Sequence, residues 1–173
     1  MTIRGTHGTS GSRAKVILSN GFDLDKCSDT RYNRGVYLWD YGHPLKIQLA
    51  EDWHSKQKQR RVYDGEREQG CTVLICKLDI DEDELLDMET LAFKNKLHQL
   101  VAGQSIKDMN HEVIRSIYEI VVKTIEKILE SKFKVLSVRV PPPDKYRYPI
   151  GLYGSPFCFI VRDTAGIKIA ENV

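Results

Sequence analysis

The sequence predicts an α+β fold: a single domain over residues 1–173 with a split, twisted sheet of mixed or antiparallel strands and helices packed on it. Three stretches carry this reading. Thr72–Ile80 (Thr-Val-Leu-Ile-Cys-Lys-Leu-Asp-Ile) is β-branched and nearly continuously apolar at first, then alternates, as a buried strand does. Phe133–Val140 alternates and is stopped by Pro141-Pro142-Pro143, because proline cannot donate to a ladder. Between them, from about Asn110 to Lys132, the residues Val113, Ile114, Ile117, Tyr118, Val121, Ile125, Ile128 and Leu129 form one wide apolar face at helical spacing. Such a face marks a helix laid against a sheet. No internal repeat and no second domain is visible.

The remaining elements follow in order. Thr2–Thr6 reads as a short strand ending at His7, with a small polar loop after it. Ser12 is the expected N-cap of the first helix, since its hydroxyl can accept from an early backbone N–H. Ala14, Ile17 and Leu18 are spaced to share one face. Gly21 can take the left-handed conformation that ends a helix, which lets Phe22 fold back onto the core. Asp23–Asn33 is polar and reads as a loop, and Gly35–Trp39 as the second strand. Tyr41-Gly42-His43-Pro44 is a turn. Pro44 suits the first position of a helix that runs to about Lys58, with Ile47, Ala50 and Trp53 near one face and Leu49 beside them.

Ser55–Gly70 is strongly charged, with almost no apolar content beyond Val62 and Tyr63, and reads as a helix end plus a mobile loop. Leu85–Met88 reads as a connector and Glu89–Val101 as a helix resting on Leu91, Leu97 and Leu100. Gly103–Asp108 is a break, and Asp108 or Asn110 can cap the long helix. Pro141–Pro156 is a loop, Phe157–Arg162 the last main strand and Ile167–Ile169 a final edge strand.

Composition bounds the function classes. Hydrophobic content of 41% and charged content of 29% suit a soluble globular protein. No apolar run approaches the ~20 residues that a membrane helix needs. The N-terminus lacks the apolar region of a signal peptide, so a cytoplasmic location without membrane association is expected. The cysteines Cys27, Cys71, Cys76 and Cys158 form no Cys-x-x-Cys pair and no zinc spacing, so no metal is expected. Cys71 and Cys76 fall on opposite faces of one strand. The formal net charge of +2 does not mark the whole chain as a nucleic-acid binder. Lys56, Lys58, Arg60 and Arg61 nonetheless form a basic cluster, either a solvated surface or a contact for phosphate.

The most informative residues lie between Thr6 and Trp39. Thr6-His7-Gly8-Thr9-Ser10 comes first, Asn20-Gly21-Phe22 closes the first helix, and Arg34-Gly35-Val36-Tyr37-Leu38-Trp39 forms the next strand. This ordered set resembles the ADP-ribosyltransferase superfamily, in its branch with a His-Tyr-Glu signature that includes the poly(ADP-ribose) polymerases. The likeness covers the N-terminal part of the chain and returns weakly at Phe157–Ile169. It implies the same fold, with NAD as substrate in a cleft between two halves of the sheet. Carried over by position, His7 would hold ribose hydroxyls, Gly8 would offer its backbone to the nicotinamide amide beside Thr9, and Tyr37 would stack on the nicotinamide ring. A flat aromatic face suits a flat ring, and a glycine allows close backbone approach. Trp53 and Trp39 are further stacking candidates, although both read as core.

The third signature residue is missing. Where the family has its glutamate, at the start of the last core strand, this chain has Cys158. Loss of that carboxylate removes a general base, and the resemblance implies transfer of a single ADP-ribose, as in family members that lack this glutamate, some of which are inactive. Asp144, in the preceding loop, is a candidate stand-in. That loop occupies the place of the family's substrate-recognition segment, and its Tyr146, Arg147, Tyr148 and Tyr153 are candidate contacts for a protein side chain or for nucleic acid.

The expectation is therefore a mono-ADP-ribosyltransferase acting on a protein or nucleic-acid acceptor, in the manner of a toxin, effector or conflict-system enzyme with an inhibitor or antitoxin as partner. A catalytically inactive NAD- or ADP-ribose-binding module of the same fold is the first alternative. An RNA 2′-phosphotransferase-like enzyme, which would draw on Arg4, Arg13, Arg31 and Arg34, and an NAD glycohydrolase are the others.

Overall fold

The computed structural model describes residues 1–27, 32–102, 110–144 and 148–172. Strands β1 (Thr2–Ser10), β2 (Val36–Asp40), β3 (Cys71–Asp79), β4 (Leu85–Asp87), β5 (Val135–Arg139), β6 (Phe157–Val161) and β7 (Lys168–Asn172) join in a seven-stranded sheet of order β4-β5-β6-β2-β1-β3-β7. The β4–β5 pair is parallel and the other neighbours are antiparallel. Helices α1 (Gly11–Asn20), α2 (Lys46–Gln59), α3 (Leu91–Val101), α4 (His111–Leu129) and the single turn α5 (Ile150–Tyr153) complete an α+β fold with a mixed sheet and flanking helices.

Alternation along the strands divides the core into two faces. Val36, Leu38 and Val161 point to the face where Ala14 of α1 is buried. On the other face, Leu136, Val138 and Ile160 meet Phe93 of α3 and Val121 and Val122 of α4, while Trp39, Val73 and Cys158 meet Leu49 and Ala50 of α2.

The seam between β1 and β2 positions the site. β1 pairs with β3 along its whole length, from Thr2↔Asp79 to Ser10↔Cys71. With β2 it pairs only at Gly5↔Asp40 and Thr6↔Trp39. Past Thr6 the two strands part.

β1 extends to Ser10, so His7 lies within the strand and not in a loop after it. The pairing of Gly8–Ser10 with Cys71–Val73 is what keeps this segment extended. The N-cap of α1 is Ser10, whose Oγ accepts from the Arg13 N–H at 3.3 Å, and the Ser12 hydroxyl instead accepts from the Glu68 N–H at 2.9 Å. Gly21 does end the helix, at φ 78°, with its N–H donating to the Ile17 carbonyl at 2.8 Å, but Leu18 is exposed.

The charged stretch after α2 is not a free loop. Tyr63 is buried, stacked on the His54 ring at 4.9 Å between centroids. The Nε2 of His54 is 3.1 Å from the Gln69 carbonyl, and the N–H groups of Gly11 and Ser12 donate to the carbonyls of Gly70 and Glu68. One buried aromatic ring and a backbone clasp thus seat this segment against the start of α1.

Leu85–Asp87 is a short strand, held by Val135–Ser137 of β5, and not a connector. Phe93 is the anchor of α3, whose Leu91 and Leu100 are exposed. The buried face of α4 is narrower than its apolar stripe: Val121 and Val122 are buried while Val113, Ile128 and Leu129 are exposed. The expected break at Gly103–Asp108 lies outside the described residues. Among the described residues, no helix is long and apolar enough to cross a membrane.

Candidate functional site

The parting of β1 and β2 opens a cavity of about 620 Å³, within the size range of small-molecule and cofactor sites. His7, Gly8, Thr9 and Tyr37 all line it, so the residues singled out in the two N-terminal motifs converge on one space.

His7 is held from two sides. Its Nδ1 lies 3.0 Å from the Tyr37 carbonyl oxygen, and its ring meets the Phe22 ring edge-on at 5.3 Å. A carbonyl can only accept, so Nδ1 carries the proton and Nε2 of the neutral ring is left with a lone pair. Burial keeps the imidazole below its ordinary pKa; the Tyr37 carbonyl opposes that shift and the Arg13 guanidinium adds to it. His7 is therefore a neutral, oriented hydrogen-bond acceptor, suited to a hydroxyl group.

Gly8 follows on the same edge. The Arg4 carbonyl accepts from Tyr41 on the β2 side, and the Gly11 N–H donates on the β3 side. Alternation along β1 then turns the N–H and C=O of Gly8 toward β2, where the ladder has already ended. A donor and an acceptor are presented side by side, the pattern that a carboxamide matches. The absent side chain has a second reason: a Cβ here would lie 1.9 Å from the Ala50 carbonyl oxygen of α2.

Tyr37 reaches the cavity with its hydroxyl already engaged, donating to the Asn33 carbonyl at 2.9 Å. Tyr37 is also among the residues that line the cavity. Trp53, half-buried on α2, lines the same cavity, so the tryptophan that reads as core in the sequence supplies a second aromatic surface.

A polar clasp closes the far wall. The Ser10 hydroxyl donates to the Glu66 carboxylate, which also pairs with the Arg13 Nε at 2.7 Å. Arg13 further donates to the Val62 carbonyl at 2.8 Å and lies over the Tyr63 ring. Thr9 is buried beside this group. Glu66 and Gln57 were invisible as site residues in the sequence, because they are brought in by a segment far from the motifs. Among the described residues, Arg13 and Lys26 are the cations on this cavity, and Val16, Ile17 and Phe22 give it an apolar wall.

A second cavity, of about 450 Å³, adjoins the first. Gly8, Tyr37, Trp53 and Gln57 line both. Lys56 and Arg60 of the basic cluster and Arg115 of α4 stand around it.

Other sequence candidates fall elsewhere. Cys158 is buried at 1% exposure beneath Trp39, Leu49 and Tyr148 and does not line the first cavity. Burial pushes its thiol far above the ordinary value, so it offers neither a thiolate nor a substitute for a carboxylate. The β6 register, which sets Cys158 opposite Trp39, is the cause. Asp144 lines neither cavity. Tyr148 is a buried pin whose hydroxyl donates to Asp52 at 2.7 Å, not an outward-facing substrate contact. Tyr146 and Arg147 lie outside the described residues, and Tyr153 is placed only as the last residue of α5.

No protein-family model matches this chain, and no curated protein is similar to it. Among the described residues, no group of three or more His, Cys, Asp or Glu side chains is arranged to hold a metal ion.

Proposed function

We propose that this protein is an NAD-dependent mono-ADP-ribosyltransferase. The observation that carries the reading is the convergence of His7, Gly8 and Tyr37 on one cavity at the point where β1 and β2 part. That opening is in keeping with the split sheet of the ADP-ribosyltransferase fold which the motifs resemble. The side chains fit NAD chemically. The ring faces of Tyr37 and Trp53 suit the nicotinamide ring, and the backbone edge of Gly8 suits its carboxamide. The Nε2 of His7 suits a ribose hydroxyl. Arg13 and Lys26 suit the diphosphate, and the wall of Val16, Ile17 and Phe22 suits adenine.

The reaction is a heterolysis. The bond from the ribose C1′ to nicotinamide breaks with its electron pair leaving on the nicotinamide nitrogen, which loses its positive charge. An oxocarbenium-like cation develops at C1′ and the acceptor adds there. Orienting the ribose and stabilising the cation are the tasks left to the protein. Among the described residues, the carboxylates on the first cavity are Asp23 and Glu66, and Glu66 is committed to Ser10 and Arg13. The acceptor must then be nucleophilic in its own right, consistent with a single transfer.

The burial of Cys158 favours a second reading, a module that binds NAD or ADP-ribose without cleaving it. The phosphotransferase reading has less support. Arg4 stacks on Tyr41, Arg34 is held by Asp25 and the Leu24 carbonyl, and Arg31 lies outside the described residues, so among the described residues Arg13 is the one of these arginines on the cavity. Transfer of label from adenylate-labelled NAD to macromolecules in a cell lysate tests the proposal. Labelled acceptor in the presence of the protein supports it, and binding of NAD without transfer or nicotinamide release supports the inactive module.

A further inference from the structure

The wall between the two cavities contains an unused amide. Gln57 is 7% exposed, and its carboxamide has no hydrogen-bond partner among the described residues. None of their side-chain N or O atoms is at once sealed and unpaired, so the Gln57 amide opens into the cavity space. The amide offers one acceptor and two donors to that space, and a ligand with a donor–acceptor edge would pair with it.

The second cavity surrounds that amide with a particular chemistry. Trp39 and Trp53 are among its walls. Lys56 and Arg60 stand at its rim, and among the described residues neither has a carboxylate partner. Arg115 faces them from α4, loosely paired with Glu119 at 3.8 Å. Among the described residues, Glu112 is the one acid on this lining. Aromatic walls, an amide that can read a base edge and a rim of cations together match a nucleotide whose base is inserted and whose phosphates lie outside. A carboxylate side chain of a protein would answer the cations but leave the aromatic walls and the amide unused.

We propose that the second cavity is the acceptor subsite and that it takes a nucleotide of a single-stranded nucleic acid. The inference rests on the transferase reading, because it needs an activated C1′ next to Gly8 and Tyr37, where the cavities meet. In the step, a lone pair on a nitrogen or oxygen of the acceptor forms the new bond to C1′. The C1′–nicotinamide bond breaks with its pair on nicotinamide, and the proton of the acceptor passes to solvent. NAD and acceptor give ADP-ribosylated acceptor, nicotinamide and a proton.

The experiment measures binding of fluorescent single-stranded RNA and DNA oligonucleotides across a salt series. It compares the parent, the double variant Lys56→Glu/Arg60→Glu, and Lys123→Glu/Lys127→Glu, which makes the same charge change on the exposed side of α4. Melting temperatures establish that each variant is folded. The proposal expects the parent to bind, the first variant to bind at least about tenfold more weakly with a flatter salt dependence, and the control to match the parent. In a parallel reaction with NAD, the oligonucleotide gains ADP-ribose, and Gln57→Leu lowers that yield at unchanged melting temperature. Equal weakening by both double variants, no binding by the parent, or modification of lysate proteins with the oligonucleotide untouched would overturn it. NAD binding by the parent separates the two levels. If NAD does not bind while the oligonucleotide binds through Lys56 and Arg60, the transferase reading fails and the acceptor role falls with it.

Discussion

The Nδ1 nitrogen of His7 and the carbonyl oxygen of Tyr37 are 3.0 Å apart. This bond staples β1 to β2 just past their last ladder pair, at Thr6 and Trp39. It joins the two residues that the sequence marks most clearly, and it fixes which imidazole nitrogen is free to accept. The geometry of the proposed site depends on it more than on any other contact.

A pH dependence follows. Burial lowers the pKa of His7, and also of His54, below the ordinary histidine value. Below that ordinary value the unfolded chain takes up protons that the native protein resists. Stability therefore rises with pH through this window and falls on acidification, levelling off only below the folded pKa values. Activity should show an acid limb at lower pH, as pH falls through the lowered folded pKa of His7, because protonation there removes the acceptor lone pair at Nε2. Thermal melts at stepped pH should show His7→Asn with a weaker acid dependence than the parent.

Gly8 is locked by packing. A Cβ at this position would meet backbone atoms of Ala50 at 1.9 and 2.6 Å, and helix backbone cannot move aside as a side-chain tip can. Gly8→Ala should destabilise at or above the upper end of the about 1–3 kcal/mol typical of overpacking. Chemical denaturation checks it, with a shifted midpoint expected at nearly unchanged slope.

Tyr37 separates ring from hydroxyl. The hydroxyl serves Asn33, while the ring lines both cavities. Tyr37→Phe should cost about 1 kcal/mol of stability, the net worth of one hydrogen bond, and leave most of the activity. Tyr37→Ala should abolish nicotinamide release. Steady-state kinetics of the two variants distinguish a stacking role from a hydroxyl role.

Cys158 should prove structural. Its Sγ is buried among Trp39, Leu49 and Tyr148. Cys158→Ser should lower stability by about 1–3 kcal/mol, through burial of a poorly satisfied hydroxyl, and leave turnover per folded molecule close to that of the parent. Thiol labelling of the native protein should modify exposed Cys71 before Cys76 or Cys158, although partial burial holds the Cys71 thiol at a pKa of about 11.

Much of this site was legible because its motifs are local. His7-Gly8-Thr9 and Tyr37 sit on strands whose alternation is visible over a few residues, and Gly21 marks the end of α1 by its own backbone freedom. The clasp around Glu66 was not legible. It depends on Tyr63, a single buried ring in a charged stretch, and one anchored ring leaves no periodic trace. The same holds for β4, whose three residues are too short to alternate and are held by β5. Cys158 was misjudged as a site residue because alignment along a strand gives position but not depth. Its burial is set by Leu49 and Ala50 of α2, more than a hundred residues earlier in the chain. Trp53 erred in the opposite direction, since an aromatic at helical spacing reads as core whether or not a cavity lies in front of it.

The most direct test of the central claim is nicotinamide release from NAD by the parent, His7→Ala and Tyr37→Ala, measured together on folded preparations with lysate as a source of acceptor. The parent should release nicotinamide, His7→Ala should show a roughly ten- to hundredfold fall in kcat/KM, as expected for loss of about 1–3 kcal/mol of oriented hydrogen bonding, and Tyr37→Ala should release none. Equal release by all three, or a parent that neither binds nor cleaves NAD, would contradict that claim.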